Sequence, residues 1–221
     1  MLSVYNEQDI EQLRRQCAIQ PHRIKLFQRA FFKQAETAER AIEQLPESAR
    51  SLFLQQMQFQ TLTLEEWHDS KVDEATKLIF KTEDGHWIES VILRPKTGRT
   101  SLCISSQIGC ACACEFCATG SMGFVRNLTK AEILDQVVLA NRFVQKENRS
   151  IRNVVFMGMG EPLQKERSSR FRELLNRSFG RFGLLKKSTL KQFYPMRLNC
   201  TLTTKLLDIL FVINRKHKTT T

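Results

Sequence analysis

Ser101-Leu-Cys-Ile-Ser-Ser-Gln-Ile108 reads as a strand, Gly109 ends it, and Cys110-Ala-Cys-Ala-Cys-Glu-Phe-Cys117 follows as a loop crowded with thiols. Further on, Thr129-Lys-Ala-Glu132 has the pattern of a capping box, in which a hydroxyl and a carboxylate each satisfy an orphan N–H of a first helical turn. Ile133, Leu134, Val137, Val138 and Phe143 supply the buried stripe of that helix. After a polar connection over residues 148–152, Val154-Val-Phe-Met157 is a short, wholly apolar strand, the kind buried on both faces of a parallel sheet. Strand, loop, helix, strand is a βαβ unit, and it sets the fold class as α/β. Both strands end in glycine-bearing loops, which is the end of a parallel sheet where ligands bind.

Upstream of this unit, residues 77–81 and 87–93 are rich in β-branched and aromatic side chains, with Glu83-Asp84-Gly85 between them as turn chemistry. They form a hairpin, within a linker region spanning 71–100. Glu89 sits inside its second strand among Ile88, Val91 and Ile92. By pattern alone Glu89 is a solvent-facing strand residue. Residues 1–70 read as a small helical domain. Ile10, Leu13 and Cys17 keep one helix face, and Ile24, Phe27, Ala30 and Phe31 keep a second, which Pro21 opens. Pro46 starts a further helix through Ala49, Leu52 and Phe53. Arg23, Lys25, Arg29 and Lys33 suit either a solvated face or RNA phosphates.

The chain has 221 residues, of which 42% are hydrophobic and 26% charged, so it is globular and neither collagen-like nor wholly disordered. It has no apolar run of eighteen residues, and its first residues lack a secretory pattern, so the expected location is the cytoplasm, away from membrane. Residues 1–164 hold 20 Lys/Arg and 20 Asp/Glu, whereas residues 165–221 hold 14 and 3, so this last stretch supplies the whole net charge of +11. Four of the seven cysteines fall within residues 110–117. In a cytosolic chain such crowding reads as metal or cluster binding rather than as a disulfide framework. Cys110, Cys114 and Cys117 keep a C-x-x-x-C-x-x-C spacing, suited to three irons of a [4Fe–4S] cluster with the fourth iron open. A structural zinc site that adds Cys112 or Cys103 is the alternative that spacing leaves open.

Four stretches, Ser101 to Cys110, Cys114 to Gly120, Gly123 to Thr129 and Phe156-Met-Gly-Met-Gly-Glu-Pro162, closely resemble the Cfr/RlmN family of radical-SAM RNA methyltransferases, in that family's order and spacing. The resemblance is strong over residues 75–164 and looser over 1–70, where the family carries a small helical RNA-binding domain. It implies an α/β fold in which a helical domain precedes the first βα units of a radical-SAM partial (β/α) barrel over 101–164. It implies a [4Fe–4S] cluster on Cys110, Cys114 and Cys117, whose open iron is chelated by S-adenosylmethionine (SAM), cleaved to a 5′-deoxyadenosyl radical. Cys112 falls where the family needs no cysteine. Phe116 resembles the family's aromatic beside the cofactor, with core filling as its simpler role. Gly160 and Glu161 correspond to SAM contacts: glycine lets backbone approach a ligand and a carboxylate can pair with an ammonium.

The same resemblance makes Glu89 the proton acceptor that releases a covalent protein–RNA adduct, a task suited to a carboxylate whose pKa burial raises. Cys103 corresponds to a redox or resolving partner of a methyl-carrying cysteine, with a buried strand thiol as its plain alternative. The implied activity is methylation of an adenine carbon of large-subunit ribosomal RNA, carbon 2 ahead of carbon 8, and of transfer RNA as a further substrate. The implied electron donor is of the flavodoxin kind, and the expected state is a monomer.

After Gln164 the family motifs stop. Cys200 does not have the context of the methyl carrier, and residues 165–221 read as a basic tail outside the family pattern, best explained by truncation or a shifted frame. The barrel is then incomplete and this chain inactive by itself. The competing function is a non-catalytic zinc- or RNA-binding remnant.

Overall fold

The computed structural model describes residues 1–95 and 98–162. The chain divides into two units, Met1–Lys191 and Gln192–Thr221, and every described residue lies in the first. The reading of residues 165–221, Cys200 included, lies outside the described residues.

The chain begins with β1 (Leu2–Ser3) and a run of helices: α1 (Glu7–Gln16), α2 (Pro21–Gln28) with a π-helical turn over Arg29–Lys33, α3 (Ala38–Ala41) with a 3₁₀ turn over Ile42–Gln44, and α4 (Glu47–Gln56). Asn6 caps α1 by accepting from Gln8 N at 3.1 Å, and Pro21 opens α2 as expected. Pro46 stands one position earlier than expected, as the residue before α4. The helices close on a phenylalanine core: Phe27 meets Phe53 edge-on at 5.9 Å and Phe31 meets Phe32 at 5.0 Å.

Helix ends sooner than the sequence suggests. β2 (Met57–Gln58) pairs in parallel with β1, and β3 (Leu62–Asp69) is a strand where the sequence reading continued the helical domain to residue 70. β3 is an edge strand with a register break between Leu64 and Glu66. Most of its side chains face water, which erases the alternation that betrays a strand.

β4 (Thr76–Thr82) and β5 (Trp87–Leu93) form the expected hairpin, closed by Gly85 N donating to Thr82 O at 3.0 Å, with Gly85 at φ +84°. The expected strand over 101–108 is two strands, β6 (Thr100–Cys103) and β7 (Gln107–Gly109). The short helix α5 (Ala118–Ser121), β8 (Phe124–Asn127), α6 (Lys130–Gln145) and β9 (Ile151–Val155) complete the described chain. The main sheet has the order β3-β4-β5-β6-β9, antiparallel except for the parallel β6–β9 pair. β6, α6 and β9 are thus the βαβ unit. The chain is a mixed α/β protein, and no described helix is long and apolar enough to cross a membrane.

The two faces of the sheet differ. Leu78, Phe80, Ile88, Ile92, Leu102 and Val154 are buried in one continuous core with Ile133, Leu134, Val137 and Val138 of α6. The opposite face carries Ile79, Glu89, Val91, Cys103 and Val155, aligned as Ile79↔Glu89, Val91↔Cys103 and Cys103↔Val155 and all half-buried.

α6 starts at the predicted capping box, with Glu132 N donating to Thr129 Oγ1 at 3.2 Å and Thr129 N to Glu132 Oε2 at 2.7 Å. Its buried Asp135 accepts from Tyr5 Oη at 2.5 Å, Thr61 N at 2.7 Å and Leu62 N at 2.9 Å, so one carboxylate joins α6 to the helical domain and to the start of the sheet.

Candidate active site

The site sits where β6 and β9, running in parallel, end. Beyond Cys103 the chain leaves the sheet at Ile104, and three backbone hydrogen bonds and two side chains lace it to the loop after β9. Ser106 N and Gln107 N both donate to Met159 O, at 2.8 and 3.2 Å, and Gly158 N donates to Ile104 O at 3.1 Å. Ser105 Oγ donates to Glu89 O at 2.5 Å while accepting from Met159 N at 2.8 Å, and Gln107 Oε1 accepts from Glu161 N at 2.9 Å. The Ser-Ser-Gln and Gly-Met-Gly-Glu stretches, which the sequence shows as separate motifs, are therefore one interlocked turn.

That contact explains the glycines. A Cβ on Gly158 would lie 2.8 Å from Ile104 O, and one on Gly160 would lie 2.4 Å from Gln107 Cβ. Gly160 also has φ +92°, a conformation that side chains disfavour. Behind the turn stands Gln136 of α6, fully buried. Its Oε1 accepts from Ser105 N and Ser90 Oγ, both at 2.8 Å, and its Nε2 donates to Ser105 O at 3.1 Å and Glu132 O at 3.3 Å. Sequence reasoning missed Gln136, because its partners are mostly backbone groups far away in sequence and it breaks the apolar stripe without any signature.

The cysteine loop hangs from the same end. Cys110 N donates to Gly123 O at 2.9 Å, which shuts the loop at its neck, and a Cβ on Gly109 would come within 1.8 Å of that oxygen. Inside, Cys117 N donates to Cys114 O at 3.0 Å, Ala113 takes φ +46°, and Gly120 lies against the Cys114 backbone, 2.9 Å from where its Cβ would be. The Cys112 thiol is pushed up to about 11 by burial and by the neighbouring Cys110, Glu161 and Cys114, which places it among the loop thiols and the Glu161 carboxylate. Cys110, Cys114 and Cys117 are half-buried free thiols. Among the described residues, no three His, Cys, Asp or Glu side chains converge closely enough to hold a metal ion as they stand. The donor chemistry fits an iron–sulfur cluster all the same: three thiols share one loop whose backbone is cinched at the neck. The buried Ser106 hydroxyl, without a hydrogen-bond partner among the described residues, adds an orphan polar group to the adjoining turn.

Other expected residues are placed as follows. Glu89 is not buried. Its side chain is 45% exposed and pairs with Lys77, Nζ to Oε2 at 3.2 Å, because it lies on the open face of the sheet and not on the face under α6. This matches the solvent-facing reading from pattern and not the burial that the proton-acceptor role called for; Ile88 and Ile92 point the other way, into the core. Cys103 stands on the same open face opposite Val91, and burial pushes its thiol up to about 11. Phe116 is 74% exposed, which rules out core filling. Arg126 of β8 makes two forks, to Asp84 at 2.7 and 2.8 Å and to Glu132 at 2.7 and 3.0 Å, tying the strand that leaves the cysteine loop to both the hairpin turn and the α6 cap. These pairs hold Asp84 well below the usual carboxylate range. Burial alone would raise Glu132, but Arg126 and the Thr129 donors outweigh it and bring it below its ordinary value.

Comparison with known proteins found no matching family model. A probable RNA methyltransferase of Rhodopirellula baltica is 46% identical over 163 residues, 74% of this chain and 41% of that protein. A probable dual-specificity RNA methyltransferase RlmN of Aquifex aeolicus is 38% identical over 159 residues, 72% of this chain and 44% of that protein. Among solved structures, a radical SAM methyltransferase from Sphaerobacter thermophilus superposes with a TM-score of 0.71 at 31% identity, covering 81% of this chain and 52% of that one. The chain therefore spans about half the length, or somewhat less, of the relatives it matches.

Proposed function

We propose, from the premise that this chain belongs to the RlmN/Cfr-type radical SAM RNA methyltransferases, that it is built to methylate an adenine carbon of large-subunit ribosomal RNA, carbon 2 ahead of carbon 8, with transfer RNA as a second substrate. The observation that carries the reading is the interlocked turn: the Ser-Ser-Gln segment and the Gly-Met-Gly-Glu segment clasp each other at the end of the parallel strands, beside a loop with three suitably spaced thiols. In this reading Cys110, Cys114 and Cys117 hold a [4Fe–4S] cluster, and the residues around Gly160 and Glu161 receive SAM. Bound together, cluster and SAM supply one-electron reduction of a sulfonium and a methyl group.

The chain's own residues do the rest. Gly160, bare of side chain, lets the turn close on Gln107 and so sets the backbone that presents Glu161, whose carboxylate is offered to an ammonium. Phe116, projecting from the loop, covers the cofactor side of the site. Glu89, ion-paired with Lys77 at 3.2 Å, takes a proton at its carboxylate and passes it to water. Cys103, kept as a thiol by burial, stands on the same face as Glu89 and serves as partner to a methyl-carrying cysteine. A flavodoxin-like donor supplies electrons, and the protein works as a monomer in the cytoplasm. Residues 165–221 contain none of the family motifs, so the reading expects this chain alone to bind cluster and SAM without methylating RNA.

The test is anaerobic reconstitution with iron and sulfide, followed by incubation with SAM carrying a labelled methyl group and a large-subunit rRNA fragment. Iron uptake and SAM binding without label in the RNA are expected. Label in RNA would show the chain complete in function, and zinc alone in the loop would overturn the enzyme reading.

A further inference from the structure

The β4–β5 hairpin carries an aromatic residue that the core does not use. Trp87 is 47% exposed and lies outside the hydrophobic core cluster. Lys81 stands opposite it in the strand register, with Nζ 5.7 Å from the centre of the indole. Side chains two apart on a strand share a face, so Trp87 and Glu89 project on the same side about 7 Å apart. That side is the open face, with Cys103 across from Val91.

Strand direction fixes which end this is. β5 runs antiparallel to β6, and Val91 is opposite Cys103, so moving back from Val91 to Trp87 moves past the end of β6, where the cysteine loop begins. Ser105 reaching Glu89 O at 2.5 Å marks the same direction. The hairpin turn just before Trp87 is anchored there too, through Asp84 and Arg126 of β8. The indole thus stands beside Glu89, at the end of the sheet that carries the interlocked turn and the thiol loop.

We infer that Trp87 and Lys81 form a stacking platform for an RNA base neighbouring the nucleotide on which Glu89 acts. This deepens the RNA-methyltransferase reading and rests on it. An exposed indole offers a flat apolar face that any base can stack on; Lys81 lies over one face of the ring, so the base takes the other and the ammonium meets an adjoining phosphate. Around the indole this face carries the charged Lys77, Lys81 and Glu89, while its apolar residues Ile79, Val91 and Val155 are half-buried. That composition suits a nucleic-acid strand, and a protein partner would call for a wider apolar patch.

The chain has two tryptophans, Trp67 and Trp87, and Trp67 packs at 5.7 Å on Phe143. In a W67F variant of the full chain, Trp87 is therefore the sole indole and reports on its own contacts. The probe is a single-stranded twelve-nucleotide oligoadenylate, titrated at raised salt, where phosphate contacts elsewhere on this basic chain weaken while stacking persists. Saturable quenching of Trp87 emission is expected. With fluorescently labelled oligoadenylate and the two-tryptophan chain, W87A should weaken binding about five- to a hundredfold and W87F by less than about threefold, with unchanged circular dichroism. Unquenched emission on saturation, or equal affinity of W87A and wild type, overturns the inference. Iron uptake measured on the same samples separates the two ideas. Quenching in a protein that takes up no iron removes the enzyme reading and leaves the platform standing. Iron uptake with unquenched Trp87 does the reverse.

Discussion

Replacing Gln136 by leucine removes four hydrogen bonds from a site with no access to water. The bond to Glu132 O is expendable, since that carbonyl is in the body of α6. The other three partners, Ser105 N–H, Ser105 C=O and the Ser90 hydroxyl, lose a buried partner at about 1–3 kcal/mol each, with the low end for the hydroxyl, which can rotate. The added apolar burial of leucine returns about 1–2 kcal/mol. The net loss is about 2–5 kcal/mol, a large share of the roughly 5–15 kcal/mol that holds a domain together. With a urea slope of about 2 kcal/mol per molar, the unfolding midpoint should fall by about 1–2.5 M. The assay is urea titration followed by far-ultraviolet circular dichroism, with reductant to keep the thiols free. The consequence for the site is as specific as the loss of stability. Ser105 also holds Glu89 O and Met159 N, so loosening its backbone should loosen the interlocked turn. A midpoint within about 0.3 M of wild type would refute the claim that Gln136 is the clasp between α6 and the site.

Three further outcomes follow from the same geometry. G160A places a methyl group 2.4 Å from Gln107 Cβ and 2.8 Å from Gln107 N in a backbone of φ +92°, so SAM binding measured by calorimetry should fall at least tenfold while the helical domain stays folded. R126A should destabilise the protein by about 2–4 kcal/mol near neutral pH, because Glu132 is left buried without its cation. Glu132 is depressed in the folded state, so this stabilisation is present above the ordinary carboxylate pKa and lost as pH falls through the folded value. The gap between the urea midpoints of wild type and R126A should narrow as pH falls below the ordinary carboxylate range, with the share from Asp84, held lower still by Arg126, persisting longest. Cys103, with its thiol pushed up to about 11, has about 0.1% thiolate at pH 8, and site-resolved mass spectrometry should find it alkylated by iodoacetamide at least tenfold more slowly than a thiol of an unfolded peptide.

The βαβ unit was legible in outline because its helix announces itself locally, but β9 (Ile151–Val155) begins inside the stretch read as a polar connection and ends before Phe156, since Arg152 and Asn153 hide the strand and its outer face is not fully buried. Thr129 and Glu132 cap α6 by contacts three residues apart, and the glycine of the hairpin turn takes the left-handed backbone that such turns require. What the sequence hid is long-range or two-sided. β3 was lost because an edge strand facing water keeps only Leu62 fully buried, and its register break disrupts the period. The split between β6 and β7 was invisible because Ile104 and the two serines continue an extended pattern, although Ile104 O and Ser106 N bond to the loop after β9 and the Ser105 backbone bonds to Gln136. Of the site, the thiol spacing and the glycine turn were readable as motifs. Their mutual clasp, the support from Gln136 and the anchoring by Arg126 depend on partners distant in sequence. Glu89 read as solvent-facing by pattern, and only the role implied by the resemblance asked for burial; alternation sends Ile88 and Ile92 into the core and leaves Glu89 beside Lys77.

The central claim is that Cys110, Cys114 and Cys117, and not Cys112, are the thiols that take up iron. It is tested most directly by counting iron and sulfide in the anaerobically reconstituted protein and in its single alanine variants. The account predicts about four irons per chain in wild type and in C112A, and a loss of most of that iron in C110A, C114A and C117A. Iron retained by those three variants, or lost from C112A alone, would contradict it.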